Sequence, residues 1–270
     1  MRIFNPIDCA HYAYSLVWSE RQYLIKLAFI PILIKFAFFM LSVLYGESGN
    51  IIRMSLIMLP AYFAEGWMLC HFVRLISNGQ RWPYRLTGDD TKDLQAAKER
   101  GKPLIAGILG FVIINLAMAL YFSGLMSFVP PEMLMGQPVD SAYIPKETGY
   151  MISIMLLVMF FLFRFVWLYI PIAMHRSPLA YFKRSNLPGF TIRLIAVWLI
   201  CFIPTMFVMQ LIVSPFMVEG ASAVMDTIGA FIRIAFDTLK NIIVTAGIGF
   251  AILFTLNDPK ENNGQGSLGR

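Results

Sequence analysis

Long uncharged apolar stretches dominate the chain and set its element plan. Leu104–Val129 runs 26 residues without a charge, and Leu194–Val218 runs 25. Either exceeds the roughly 18–20 apolar residues that a helix needs to cross a bilayer core. The same pattern predicts six spans in all. The first two are Leu24–Tyr45, carrying Pro31 and Lys35, and Ile52–Ile76, carrying Pro60 and Glu65. Leu104–Val129 is the third, Tyr150–Met174 with Arg164 inside it the fourth, and Leu194–Val218 the fifth. In the sixth, Asn241–Leu256 is uncharged but only 16 residues long, so the span is placed from about Asp237. Thr227–Lys240 before it, with Arg233, Asp237 and Lys240, reads as an amphipathic approach helix.

Residues 1–23 lack the apolar core of a secretory signal. Asn5-Pro6 instead reads as a helix start, with Asn as N-cap, Pro in the first turn and Asp8 beside the helix dipole. Phe4, Ile7, Tyr14, Val17 and Trp18 approximate one apolar face, as in a helix lying in the membrane interface. The expected organisation is an all-α polytopic protein: an interfacial segment over 1–23, a six-span domain over 24–257 and a disordered polar tail over 258–270.

Composition agrees with that plan. Apolar residues make up 58% and charged ones 14%, where a soluble domain is about a quarter charged. This excludes a cytosolic enzyme, a disulfide scaffold and a disordered chain. The net charge of +6 is explained by topology. With both termini cytoplasmic, sixteen of the twenty-two Lys and Arg fall inside, and Arg53, Lys146, Arg233 and Lys240 fall outside. The bias orients the protein N-in and C-in in a bacterial-type inner membrane, and removes the reason to invoke a nucleic-acid partner. The outer loop Pro130–Gly149 carries three acids and one base.

Two inner loops remain. In Ser77–Pro103, Thr91–Arg100 reads as a short solvated helix, started by an Asp90/Asp93 capping box and closed by Gly101 and Pro103. In His175–Phe190, Arg176, Lys183 and Arg184 are mixed with Leu179, Tyr181 and Phe182. Such a segment suits contact with anionic lipid of the inner leaflet, at about 1 kcal/mol per basic residue; ordinary positive-inside flanking explains the same charges.

Chemistry is scarce. Lys35, Glu65 and Arg164 are predicted at similar depth inside spans, where an unpaired charge costs at least about 2.5–3.5 kcal/mol. A mutual arrangement follows, with Glu65 pairing Arg164 or Lys35. It reads either as an ion pair that fixes helix order or as a proton- or substrate-linked site. The lack of a second carboxylate in the core favours the first, and Lys35 can also snorkel. His11, His71, His175, Cys9 and Cys70 fall near the cytoplasmic face without a recognised ligand spacing, so no metal or other cofactor is expected. Nucleophile, Walker and dinucleotide motifs are absent from the sequence. Ala106-x-x-x-Gly110 and Gly247-x-x-x-Ala251 read as helix-packing contacts, and Pro31, Pro60, Pro171 and Pro204 as kinks.

One resemblance enters at the fourth span. Ile170-Pro171-Ile172-Ala173-Met174, then Ser177-Pro178-Leu179-Ala180-Tyr181-Phe182-Lys183-Arg184-Ser185, then Gly189 and Arg193, form a recurrent bacterial pattern. It is similar to the six-helix membrane domain associated with glycerophosphoryl diester phosphodiesterases and related inner-membrane proteins. The resemblance implies an inner-membrane helical protein and no activity of its own. The leading expectation is a non-enzymatic component that packs with phospholipid or a partner membrane protein. The alternatives are a small transporter or channel subunit using Glu65, Arg164 and Lys35, and a lipid-headgroup enzyme centred on His175 or His71.

Overall fold

The computed structural model describes residues 4–46, 50–84, 88–128, 146–185, 188–216 and 222–256, and these are helical throughout apart from caps and turns. In chain order the helices are α1 (Pro6–Ser19), α2 (Arg21–Leu44), α3 (Ile51–Ile57), α4 (Leu59–Asn78), α5 (Asp90–Met126), α6 (Lys146–Leu162), α7 (Tyr169–Ala173), α8 (Pro178–Ser185), α9 (Pro188–Val213) and α10 (Ala223–Leu256). A 3₁₀ segment, Phe163–Trp167, joins α6 to α7. The expected polar tail, and the outer loop up to residue 145, lie outside the described residues.

Five segments are long and apolar enough to cross a membrane: Arg21–Leu44, Asp90–Met126, Gly149–Ala173, Gly189–Phe216 and Ala223–Leu256. Ile52–Ile76, expected as a single straight span, is instead the pair α3 and α4, bent by 64°. Pro60 explains the break. It has no N–H for the carbonyl four residues earlier, and its ring crowds that carbonyl, so α3 ends at Ile57 and Pro60 sits in the first turn of α4. These helices fit a multi-pass membrane protein. The Gly149–Ala173 segment is the most peripheral, and Leu156, Leu157 and Phe161 face outward from it.

Two helices run longer than the sequence pattern suggests. Gly101 and Pro103 do not close the Asp90 helix, which continues for 37 residues to Met126, ~55 Å at 1.5 Å per residue. Pro103 removes one backbone hydrogen bond, and the apolar run behind it keeps the helix packed. The cap is also shifted by one residue: Asp89 accepts from the Thr91 and Lys92 amides at 3.2 and 3.3 Å, while Asp93 accepts from the Gly88 amide at 3.2 Å. At the other end of the chain, the expected approach helix and sixth span form one 34-residue helix, α10. That continuity carries Asp237 and Lys240 into the bundle.

α4 and α10 are the two largest contributors to the interior. Tyr169 hydrogen-bonds Thr245 at 2.9 Å and stacks edge-on against Phe111. A Cβ at Gly107 would stand 3.0 Å from Cys70 Sγ and 3.1 Å from Ala173 Cβ, so this glycine sets the approach of α5. Gly110, the glycine of the expected motif, has its nearest neighbour at 3.7 Å. α1 buries Cys9, Ala10 and Ala13 against α9 and α10, with Tyr12 stacked on Phe250 at 4.2 Å. Tyr14 donates to the Cys201 carbonyl at 3.0 Å. The expected apolar face is therefore divided: Phe4 is buried, whereas Ile7 and Trp18 point outward. Small residues let α1 come close to α10, and that contact selects a different face from the one large side chains suggested.

Candidate functional site

Two of the three expected intramembrane charges, Lys35 and Glu65, meet, and a third helix joins them. Pairing starts at Lys35, in the middle of α2, whose Nζ donates to Glu65 Oε2 of α4 at 2.9 Å and to Asp237 Oδ2 of α10 at 2.7 Å. Lys240, one turn beyond Asp237, donates to its other carboxylate oxygen. Asn241 completes the group by donating to Glu65 Oε1 at 2.6 Å. Two ammonium groups thus face two carboxylates, and the cluster is formally neutral. Each acid has both oxygens engaged, the condition under which charge in a low-dielectric interior is tolerated. Glu65 is the most deeply buried member and Asp237 the most accessible.

Sequence reasoning missed Asp237, Lys240 and Asn241. Their i, i+3, i+4 spacing places all three on one helix face, which was the available signal. It was obscured because Asp237 and Lys240 read as the polar end of an approach helix over Thr227–Lys240, and Asn241 as the first residue of the uncharged run.

Arg164 does not join this group. It lies in the 3₁₀ segment, where its guanidinium donates to the Ser185 carbonyl at 3.1 Å and stands 5.1 Å from the Phe165 ring. The Tyr181 hydroxyl returns a hydrogen bond to the Arg164 carbonyl at 2.7 Å. Arg164 is therefore the clasp that holds α8 against the bundle.

The three basic residues expected at the lipid surface divide in the same way. Arg184 donates to the Thr255 carbonyl at 2.6 Å in the last turn of α10, where a cation complements the helix dipole. Arg176 and Lys183 are exposed. An Arg164→Leu variant should weaken α8 docking by about 1.5–3 kcal/mol, the usual range for hydrogen bonds to a charged group. The readout is trypsin cleavage after Lys183, expected to speed up roughly 10–100-fold; an unchanged rate would show that α8 is held by its apolar face alone.

Beside the charge cluster is a cavity of about 310 Å³. Trp167, Tyr169, Phe111 and Phe202 form its aromatic walls, and Lys240 and Asn241 reach it from the cluster. The Trp167 Nε1–H there has no partner among the described residues. His71, named above as one possible centre of a lipid-headgroup enzyme, shares a hydrogen bond with the Tyr84 hydroxyl at 3.2 Å. Among the described residues, no three His, Cys, Asp or Glu side chains converge in a way that could hold a metal ion. Comparison with family models, with curated proteins and with solved structures found no match to this chain.

Proposed function

We propose that this chain is a six-span protein of a bacterial-type inner membrane, with both termini cytoplasmic, that acts by packing with lipid or a partner membrane protein. Counting the bent pair α3–α4 as one span supports the number six, and the distribution of Lys and Arg supports the orientation. The outward-facing Ile7 and Trp18 suit α1 to the interface. The exposure of Arg176 and Lys183 supports contact with anionic headgroups, and the likeness of Ile170–Ser185 to the phosphodiesterase-associated membrane domain agrees with an inner-membrane helical role.

One observation carries the non-enzymatic reading. Lys35, Glu65, Asp237 and Lys240 form a closed, neutral network whose partners all lie within the protein. Such a network orders helices and leaves no excess charge for a substrate. The neighbouring cavity favours a second reading, a small transporter whose path runs past Lys240 and Asn241. Reconstituted liposomes separate the two. The structural reading expects no proton-driven flux from wild type and a lower melting temperature for Glu65→Gln. Proton-driven flux that disappears in a normally stable Glu65→Gln variant would establish the transporter instead.

A further inference from the structure

Arg74 is the buried charge that this network leaves unexplained. It lies on α4 near Asn78 and is only 4% exposed. Among the described residues its guanidinium makes one hydrogen bond, to the Tyr84 hydroxyl at 3.3 Å, while Nε has no partner. Among the described residues, no carboxylate stands within ion-pair distance of it. Guanidinium remains charged at any physiological pH, so a buried one without a counter-ion calls for an anion.

A cavity of about 420 Å³ opens directly on Arg74. Its walls also carry Lys98, Arg100 and Lys102 from α5 and His175 from the turn after α7, with Glu99 as the single acid. Four cations against one carboxylate leave a strong positive excess. Lys98 and Lys102 are an i, i+4 like-charge pair, an arrangement that costs stability unless something negative lies between them. Arg100 stands 5.1 Å over the ring of Tyr84, the residue that also holds Arg74.

His175 adds an independent observation. α7 ends in a Schellman turn, in which the Arg176 amide donates to the Pro171 carbonyl at 2.9 Å and the His175 amide to Ile172 at 3.0 Å. The left-handed position of that turn, normally glycine, is His175 with φ of 58°. An imidazole is kept at the cavity wall despite an unfavourable backbone. A neighbouring cavity continues from His175 to Arg176 and to the apolar Pro103, Ala106 and Ile172.

We propose that the Arg74, Lys98, Arg100, Lys102 and His175 cavity binds a phosphate-bearing anion. This deepens the reading above, on which the cavity lies at the cytoplasmic surface. A phospholipid headgroup and free phosphate share the chemistry. Planar guanidinium forks and ammonium groups match phosphate oxygens, and the adjoining apolar walls would receive an acyl chain.

The test uses the full chain in neutral detergent, with its melting temperature followed against two probes. One is inorganic phosphate at constant ionic strength; the other is micelles doped with phosphatidylglycerol, compared with phosphatidylcholine. Binding raises the melting temperature in proportion to occupancy. A shift with phosphate identifies the free anion as sufficient, and a shift with phosphatidylglycerol alone identifies the headgroup. In both cases Lys98→Gln/Lys102→Gln should weaken binding roughly tenfold or more while leaving the unliganded protein at least as stable. His175→Gly should raise basal stability and weaken binding, opposite signs that a purely structural residue would not give. No shift with either probe overturns the proposal, as does a full shift retained by Lys98→Gln/Lys102→Gln. Loss of the shift in Lys183→Gln alone would move the contact to the α8 surface, against the cavity. Impermeant labelling of Glu99→Cys from the outer side would overturn the orientation and leave the binding result intact.

Discussion

Lys35→Met is expected to cost the bundle about 3–5 kcal/mol, the usual penalty for removing one partner of a buried ion pair. Lys35 is the hub of the network, and the two acids it serves respond differently to its loss. Asp237 keeps Lys240. Glu65 keeps only the amide of Asn241, and is left as a buried carboxylate without a counter-charge. The double variant Lys35→Met/Glu65→Gln should therefore be more stable than Lys35→Met alone, because a neutral amide can still accept from Asn241. Thermal melting in detergent of the wild type, both single variants and the double variant completes the cycle. If the double variant loses the sum of the two single effects, Lys35 and Glu65 are not energetically coupled, and the network does not order the helices.

Gly247→Val should produce the second large loss, through crowding. Gly247 lies where α1, α9 and α10 meet. A Cβ there would come within 3.0 Å of both Cys201 Sγ and Val197 Cγ1, and 3.6 Å from Ala13 Cβ. Val197, Cys201 and Ala13 are fully buried and have no free space to retreat into. Overpacking of this kind costs about 1–3 kcal/mol, and two simultaneous close contacts put the loss at the upper end.

Cysteine reactivity provides the local readout. Burial, then Asp8 and Cys201 nearby, push the Cys9 thiol up to about 12, so at neutral pH it carries almost no reactive thiolate. Wild-type Cys9 should resist maleimide, whereas Gly247→Val should expose both Cys9 and Cys201 to it. Gly101→Ala is the matched control: nothing lies within 4 Å of the added Cβ, and alanine favours the helix by up to about 1 kcal/mol. Unaltered thiol protection in Gly247→Val would mean that α1 is not held at this junction.

How much of this was legible in the sequence depends on the range of the interaction involved. Helical class, the apolar segments and the start of α1 are local properties. Asn5 caps α1 through the Ile7 amide at 3.1 Å as its position next to Pro6 suggests, because capping involves only neighbouring residues. Lys35 and Glu65 stood out because charge inside an apolar run is visible in one dimension. Helix ends were less legible. Pro103 lies inside α5, whereas Pro60 marks a 64° break, and the residue type alone does not distinguish the two outcomes.

By itself, the sequence determined which segments are helical, which are apolar enough for a bilayer, and which charges interrupt them. The tertiary structure decided which of those charges meet. Lys35 and Asp237 are 202 positions apart, and only the crossing of α2 with α10 brings them together. Arg164 was taken up by Ser185 and Tyr181 of α8 and not by Glu65, and Arg74 was set beside Lys98 and Lys102 by the packing of α4 on α5. The physical reason is common to all three. Burial makes an unpaired charge costly enough to demand a partner, but the identity of that partner depends on helix rotation and crossing, which are set by contacts between residues remote in the chain.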